Sequence, residues 1–196
     1  MKISQRGIDL IKEFEGFRAA AYRCPAGVLT IGYGHTSGVY EGQKVTKAEA
    51  EKMLRQDLVQ YETAVTAWNY LYGWTQPEFD SLVSFTYNCG TGSLRNLLKG
   101  GTRNRYEIRK AMVLYTKDIH GNTLAGLVRR RKAELELFNS DYDTDTGNGA
   151  QAPEKDYETV DDIVKGIWAG DFGTPWSQSN LLYKYFMKKV NEYKGG

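Results

Sequence analysis

The feature that most constrains the fold is an abrupt change of period at Glu15-Gly16. Upstream, Ile8, Leu10, Ile11 and Phe14 recur at helical spacing behind Ser4, a residue type that caps helix N-termini, and Gly16 ends the run. Downstream, AYRC, VLTIGYG and QKVT are short β-prone pieces divided by PAG and SGVYEG. They predict a small antiparallel sheet of two or three strands, with Gly27 in a hairpin turn and Gly32 and Gly34 where backbone approaches a neighbour closely.

Only helical patterns follow. Thr46 with Glu49 forms a capping box opening a long helix through Ala50, Met53, Leu54, Leu58 and Val65. Thr75 with Glu78 repeats the device before Phe79, Leu82, Val83, Phe85 and Tyr87, part of the most buried helix expected. TGSLRNLLKGG, RYEIRKAMVLYTK and LAGLVRRRKAELELF complete the series, the last with Leu127, Ala133, Leu137 and Phe138 inward. Helix, small sheet, then many helices is an α+β order, with a cleft expected where sheet meets helical lobe.

Glu15 therefore falls on the last turn of a helix beside a hairpin. There the helix dipole disfavours negative charge, and Phe14 and Phe17 are placed to dry the site, so both effects favour the proton-carrying form that a general acid needs. Taken alone, Glu15 reads more readily as a solvated acid at a helix end.

The block from Glu15 to Thr36, EGFRAAAYRCPAGVLTIGYGHT, resembles the phage-type lysozymes of glycoside hydrolase family 24. It carries Glu15, then Cys24 after eight residues, then Thr30 after five more. VTKAEAEKMLRQDL, QPEFDSLVSFTYNCGTG and GLVRRRKAELELF follow in the family's order, so the resemblance covers roughly residues 1–138. It implies a lysozyme-like fold, mainly helical with a small antiparallel sheet at the active-site cleft. It also implies that Glu15 donates a proton to the glycosidic oxygen between N-acetylmuramic acid and N-acetylglucosamine.

An inverting glycosidase needs a second group, about 6.5 to 9.5 Å across the sugar, to position and deprotonate water. Many relatives have aspartate where this chain has Cys24, a recurrent substitution that departs from the two-carboxylate scheme. Cys24 is then a modest base or only a polar water holder, unless Arg18 or Arg23 favours its thiolate, and Thr30 carries more of the task through its hydroxyl. A small buried hydrophobe is the other reading of Cys24. A lytic transglycosylase acting on the same bond, and a wall-binding protein without catalysis, are the competing functions.

By the same resemblance His35 pairs with Asp57 as a structural contact, Arg130 orients Glu15 through an ion pair, and Asn88 and Gly90 line the far wall. Tyr22, Tyr33 and Trp74 are candidates to stack on sugars, with core packing the alternative for each. Neither histidine sits in a metal-ligand cluster, and no metal or cofactor is expected.

Residues 1–140 form the expected catalytic domain and 141–156, polar and rich in Asp, Thr and Gly, a linker. Residues 157–196 resume helical spacing and loosely resemble the small three-helix cell-wall-binding repeat of some phage lysins, through AGDFGTPW and VNEY. Residues 1–138 hold 20 Lys+Arg against 14 Asp+Glu, and 139–196 hold 6 against 10. A basic catalytic region is drawn to an anionic polymer such as peptidoglycan, and no nucleic-acid module is present. No apolar run is long enough to span a membrane and the first residues are charged throughout. A monomer made in the cytoplasm, released to the wall by a separate holin, is the expectation, with both cysteines reduced.

Overall fold

The computed structural model describes residues 1–24, 26–118 and 120–141. The expected linker beyond Asp141 and the expected helical tail over 157–196 lie outside the described residues. The elements run α1 (Gln5–Glu15), β1 (Arg18–Arg23), β2 (Leu29–Gly32), α2 (Lys47–Thr66), α3 (Asn69–Tyr72), α4 (Gln76–Leu97), α5 (Arg105–Met112) and α6 (Ala125–Asn139). The architecture is the expected lysozyme-like α+β one.

Local signals set most of the boundaries. The Ser4 hydroxyl accepts from Gly7 N at the head of α1, and Gly16, at φ 70°, closes it. Both capping boxes form as expected, Thr46 with Glu49 on α2 and Thr75 with Glu78 on α4. Asn104 with Glu107 makes a third at the head of α5. That helix stops at Met112, short of the sequence pattern. Gly90, at φ 81° and ψ 162°, breaks α4, so TGSLRNL is a separate helical piece, as its spacing suggests.

The sheet has two strands, antiparallel, pairing Tyr22 with Thr30 and Arg23 with Leu29, with a bulge between Arg18 and Tyr22. The third expected strand, QKVT, contributes a single bridge, Lys44 to Ala20. Ala21 N donates to Gln43 O and Val45 N to Ala19 O, so the segment follows the bulged stretch of β1 without extending into a ladder.

Helix α4 is the centre of the core. Its Phe79, Leu82, Val83 and Phe85 are fully buried, packed with Ile8 and Ile11 of α1, Leu54 and Leu58 of α2, and Phe138 of α6. Asp80 on α4, 1% exposed, accepts from Ser4 N (2.8 Å), from the Ser4 hydroxyl and from Gln76 Nε2 (2.8 Å). These bonds fasten the start of α1 to α4. Gly32, at φ 67°, sits so close to α2 that a Cβ there would lie 2.9 Å from Ala50 Cβ. Together these contacts fix α1 and the hairpin on one helical frame, with Glu15 at their junction.

Candidate active site

Glu15 ends α1, and its carboxylate turns toward α6. Arg130 Nη1 donates to Glu15 Oε1 at 2.7 Å, with the arginine side chain 4% exposed and the glutamate 25%. Oε2 lies toward the hairpin exit, 3.9 Å from where a Gly34 Cβ would stand. Only glycine fits there easily, because φ is 98° and the same Cβ would meet Tyr87 Oη at 3.1 Å. The Tyr87 hydroxyl donates to Tyr33 O at 2.9 Å, tying the loop after β2 to α4. Burial pushes the Tyr87 phenol well above its ordinary value, with the negative charges of Glu15 and Asp57 adding to the shift. Tyr61 of α2 meets Tyr87 edge to face, ring centroids 5.2 Å apart, and is raised by the same causes.

The predicted drying of Glu15 by Phe14 is revised. The guanidiniums of Arg129 and Arg130 each sit 5.6 Å from the Phe14 ring, so that face packs on cations.

Cys24 follows β1 at the hairpin turn, half-buried and not in a disulfide. Cys24 N donates to Val28 O at 2.9 Å and Gly27 N to Cys24 O at 2.8 Å. Its thiol is lowered from the ordinary value, first by the backbone at Val28, then by Ala26 and the Thr30 hydroxyl, with partial burial opposing. The two nearby arginines are engaged elsewhere. Arg23 pairs with Glu41 at 2.6 Å, and Arg18 lies 4.6 Å from the Tyr22 ring. Thr30, 5% exposed on β2, also bonds Val28 O at 3.1 Å, so its one proton is shared between that carbonyl and the sulfur.

His35 and Asp57 pair as expected, with Nδ1 at 2.8 and 3.0 Å from the two carboxylate oxygens, joining the hairpin exit to α2. Tyr22 remains half-buried beside Cys24. Tyr33 and Trp74, each 5% exposed, are core residues. Tyr33, just past β2, packs 5.6 Å from Phe17. Trp74 stacks on Tyr72 at 4.2 Å. Neither ring is open to a sugar. Asn88 is exposed on α4 just before the Gly90 break.

The sequence reading missed the buried charges behind this site. Arg131 is 1% exposed and Glu134 fully buried. Glu134 Oε1 accepts from Arg130 Nε (3.1 Å), Arg131 Nη2 (3.0 Å) and Ser84 Oγ (2.8 Å), while Oε2 faces Arg131 Nε at 2.9 Å. Arg131 also donates to Asn88 Oδ1 at 2.8 Å and to the Cys89 sulfur. Burial pushes Glu134 above the usual carboxylate value, the two arginines pulling the other way, and it raises the Cys89 thiol likewise. A signal was available. Leu127, Arg130, Arg131, Glu134, Leu137 and Phe138 share one helical stripe, so three charges occupy core positions. Among the described residues no three His, Cys, Asp or Glu gather as metal ligands, and no helix is long and apolar enough to cross a membrane.

The arrangement can present one carboxyl oriented by a buried arginine, and a small hairpin carries a polar thiol and hydroxyl. Known proteins resemble the chain in sequence and fold. The chain is 39% identical over 155 residues, 77% of its length, to an endolysin of Lactococcus phage c2, and spans 66% of that protein's length. It is 37% identical over 146 residues to an endolysin of Acyrthosiphon pisum secondary endosymbiont phage 1, covering 71% of this chain and 99% of the relative. Among solved structures it resembles the muramidase domain of SpmX from Asticaccaulis excentricus, with TM-score 0.64, 40% identity, 70% of this chain and 97% of that one. The endolysin from Escherichia coli O157:H7 phage FAHEc1 matches with TM-score 0.64 and 35% identity over 72% of this chain and 95% of that one. The sequence model of the family described as phage lysozyme matches residues 12–134, and with the fold and these relatives in agreement, the chain belongs to the phage lysozyme family.

Proposed function

We propose that the chain is an endolysin of glycoside hydrolase family 24, hydrolysing the β-1,4 bond between N-acetylmuramic acid and N-acetylglucosamine in peptidoglycan. The carrying observation is Glu15, held at the end of α1 by Arg130 at 2.7 Å while its side chain stays 25% exposed and its other oxygen lies toward Gly34. In this reading Glu15 protonates the departing glycosidic oxygen. Cys24 and Thr30 hold the attacking water: the thiol, lowered by backbone donors, accepts a hydrogen bond from it, and the hydroxyl fixes its position. His35, Asp57 and Arg130 keep these groups in place, and Tyr22 is the remaining aromatic candidate for a sugar contact. The enzyme acts as a monomer without cofactor, after a separate holin opens the membrane. Residues 157–196 serve as a wall-binding module. A sacculus pull-down with residues 157–196 alone tests that part: failure to bind refutes it.

Cys24 in place of a second carboxylate favours a lytic transglycosylase as the second reading, since that reaction uses the sugar's own hydroxyl. Mass spectrometry of products from purified peptidoglycan separates the two. Hydrolysis gives reducing muropeptides, and an anhydro product lighter by one water, about 18 mass units, overturns the hydrolase.

A further inference from the structure

Arg130 has three fixed partners: Glu15 Oε1 at 2.7 Å, Glu134 Oε1 at 3.1 Å and Ser84 O at 3.3 Å. Glu134 in turn lies between both arginines and the Ser84 hydroxyl, and Ser81 Oγ holds its backbone carbonyl at 2.6 Å. Arg131 reaches the same carboxylate and is anchored beyond it by Asn88 and Cys89. Three of the four charged residues are 3% exposed or less. Their formal charges, two positive and two negative, cancel only when Glu15 is ionised. With Glu15 protonated the cluster carries one net positive charge, poorly screened by solvent. Every charge in it therefore bears on how readily Glu15 holds a proton.

We propose that Glu134 and Arg131 are positioning residues for the reaction: they hold the Arg130 guanidinium against Glu15 and fix the net charge that the Glu15 carboxyl faces. Neither touches substrate. The inference rests on the reading of Glu15 as the acid. Among the described residues, groups around Glu15 include Arg130 and, across Phe14, Arg129 from α6, Tyr87 from α4, and Tyr61 and Asp57 from α2, while those facing Glu134 include Arg130, Arg131, Ser84, Ser81 and Cys89. The charges bonded directly to the two carboxylates are the two guanidiniums.

The sign follows directly. An acid catalyst works while protonated, so activity falls on the alkaline side as Glu15 ionises. Glu134→Gln removes a negative charge, makes the cluster more positive and favours ionised Glu15, so the alkaline limb moves down by about one pH unit. Arg131→Met removes a positive charge that does not touch Glu15, and the limb moves up by roughly half a unit to one unit. The double variant restores the balance and returns the limb to the wild-type position.

Initial rates of turbidity loss of purified peptidoglycan from pH 4 to 9, with the full chain and each variant, test this, alongside urea denaturation to establish folding. Opposite shifts in the two single variants are the expected result, and a purely structural role lowers stability in both without moving the limbs apart. Should Glu134→Gln fail to fold, Arg131→Met decides: an unmoved or lowered limb overturns the proposal. Wild type without lysis, or activity surviving in Glu15→Gln, refutes the assignment of Glu15 instead.

Discussion

Replacing Gly7 by alanine within α1 pits two known effects against each other. On propensity alone the change stabilises a helix by about 1 kcal/mol. Here a Cβ would lie 2.7 and 2.9 Å from two Ile3 side-chain atoms and 2.8 Å from Asp80 Cβ. Ile3 has room to rotate at a cost, but Asp80 does not, because Ser4 and Gln76 hold its carboxylate in place. The helix must then slide off α4, which costs about 1–3 kcal/mol as overpacking and stretches the bonds that cap α1. Overpacking and the strained cap together outweigh the propensity gain, for a net loss of about 1–2 kcal/mol and a Tm lower by roughly 2–8 °C. Urea and thermal unfolding of the full chain, followed by tryptophan fluorescence and near-ultraviolet circular dichroism, measure it. Because α1 carries Glu15 at its other end, lytic rate falls more than the folded fraction does. A Gly7→Ala variant as stable as wild type, or more so, refutes the packing argument.

Three further outcomes are expected. Glu51 is depressed by Lys12 and then Arg55, Glu49 by the Thr46 backbone and hydroxyl, and Asp118 by Asn122. Their stabilisation is full above the ordinary carboxylate values and is lost as pH falls through the lower folded ones, so denaturation midpoints drop below about pH 4. A midpoint that holds or rises there contradicts this. Iodoacetamide should label Cys24, whose thiol is lowered and half-exposed, roughly tenfold faster than Cys89, whose thiol is raised by burial, as peptide mapping reads it. Equal rates contradict the two environments. Tyr87→Phe strips Tyr33 O of its donor and costs about 1–2 kcal/mol by urea denaturation, and no loss means water replaces the phenol.

What the sequence made legible was local. Ser4, Thr46 with Glu49, and Thr75 with Glu78 announce helix starts through bonds spanning three residues, and each forms. The bulged β1 edge was not legible, because whether QKVT pairs over one residue or several depends on the twist of a strand twenty residues away. Tyr33 and Trp74 illustrate another limit: each looks like a sugar platform in the sequence, yet Phe17 and Tyr72 pack against them in the core. The RRRKAE run is the most instructive miss. Arg130 was expected beside Glu15, but Arg131 and Glu134 are buried with it, because α4 supplies Ser84, Ser81 and Asn88 as partners 43 to 53 residues away in sequence.

The most direct test of the account is lysis of purified peptidoglycan by wild type, Glu15→Gln and Cys24→Ser, all verified as folded. The account predicts that Glu15→Gln abolishes turbidity loss and soluble product. It also predicts that Cys24→Ser retains a reduced rate, since a hydroxyl still holds water. Lysis by Glu15→Gln at the wild-type rate would contradict it.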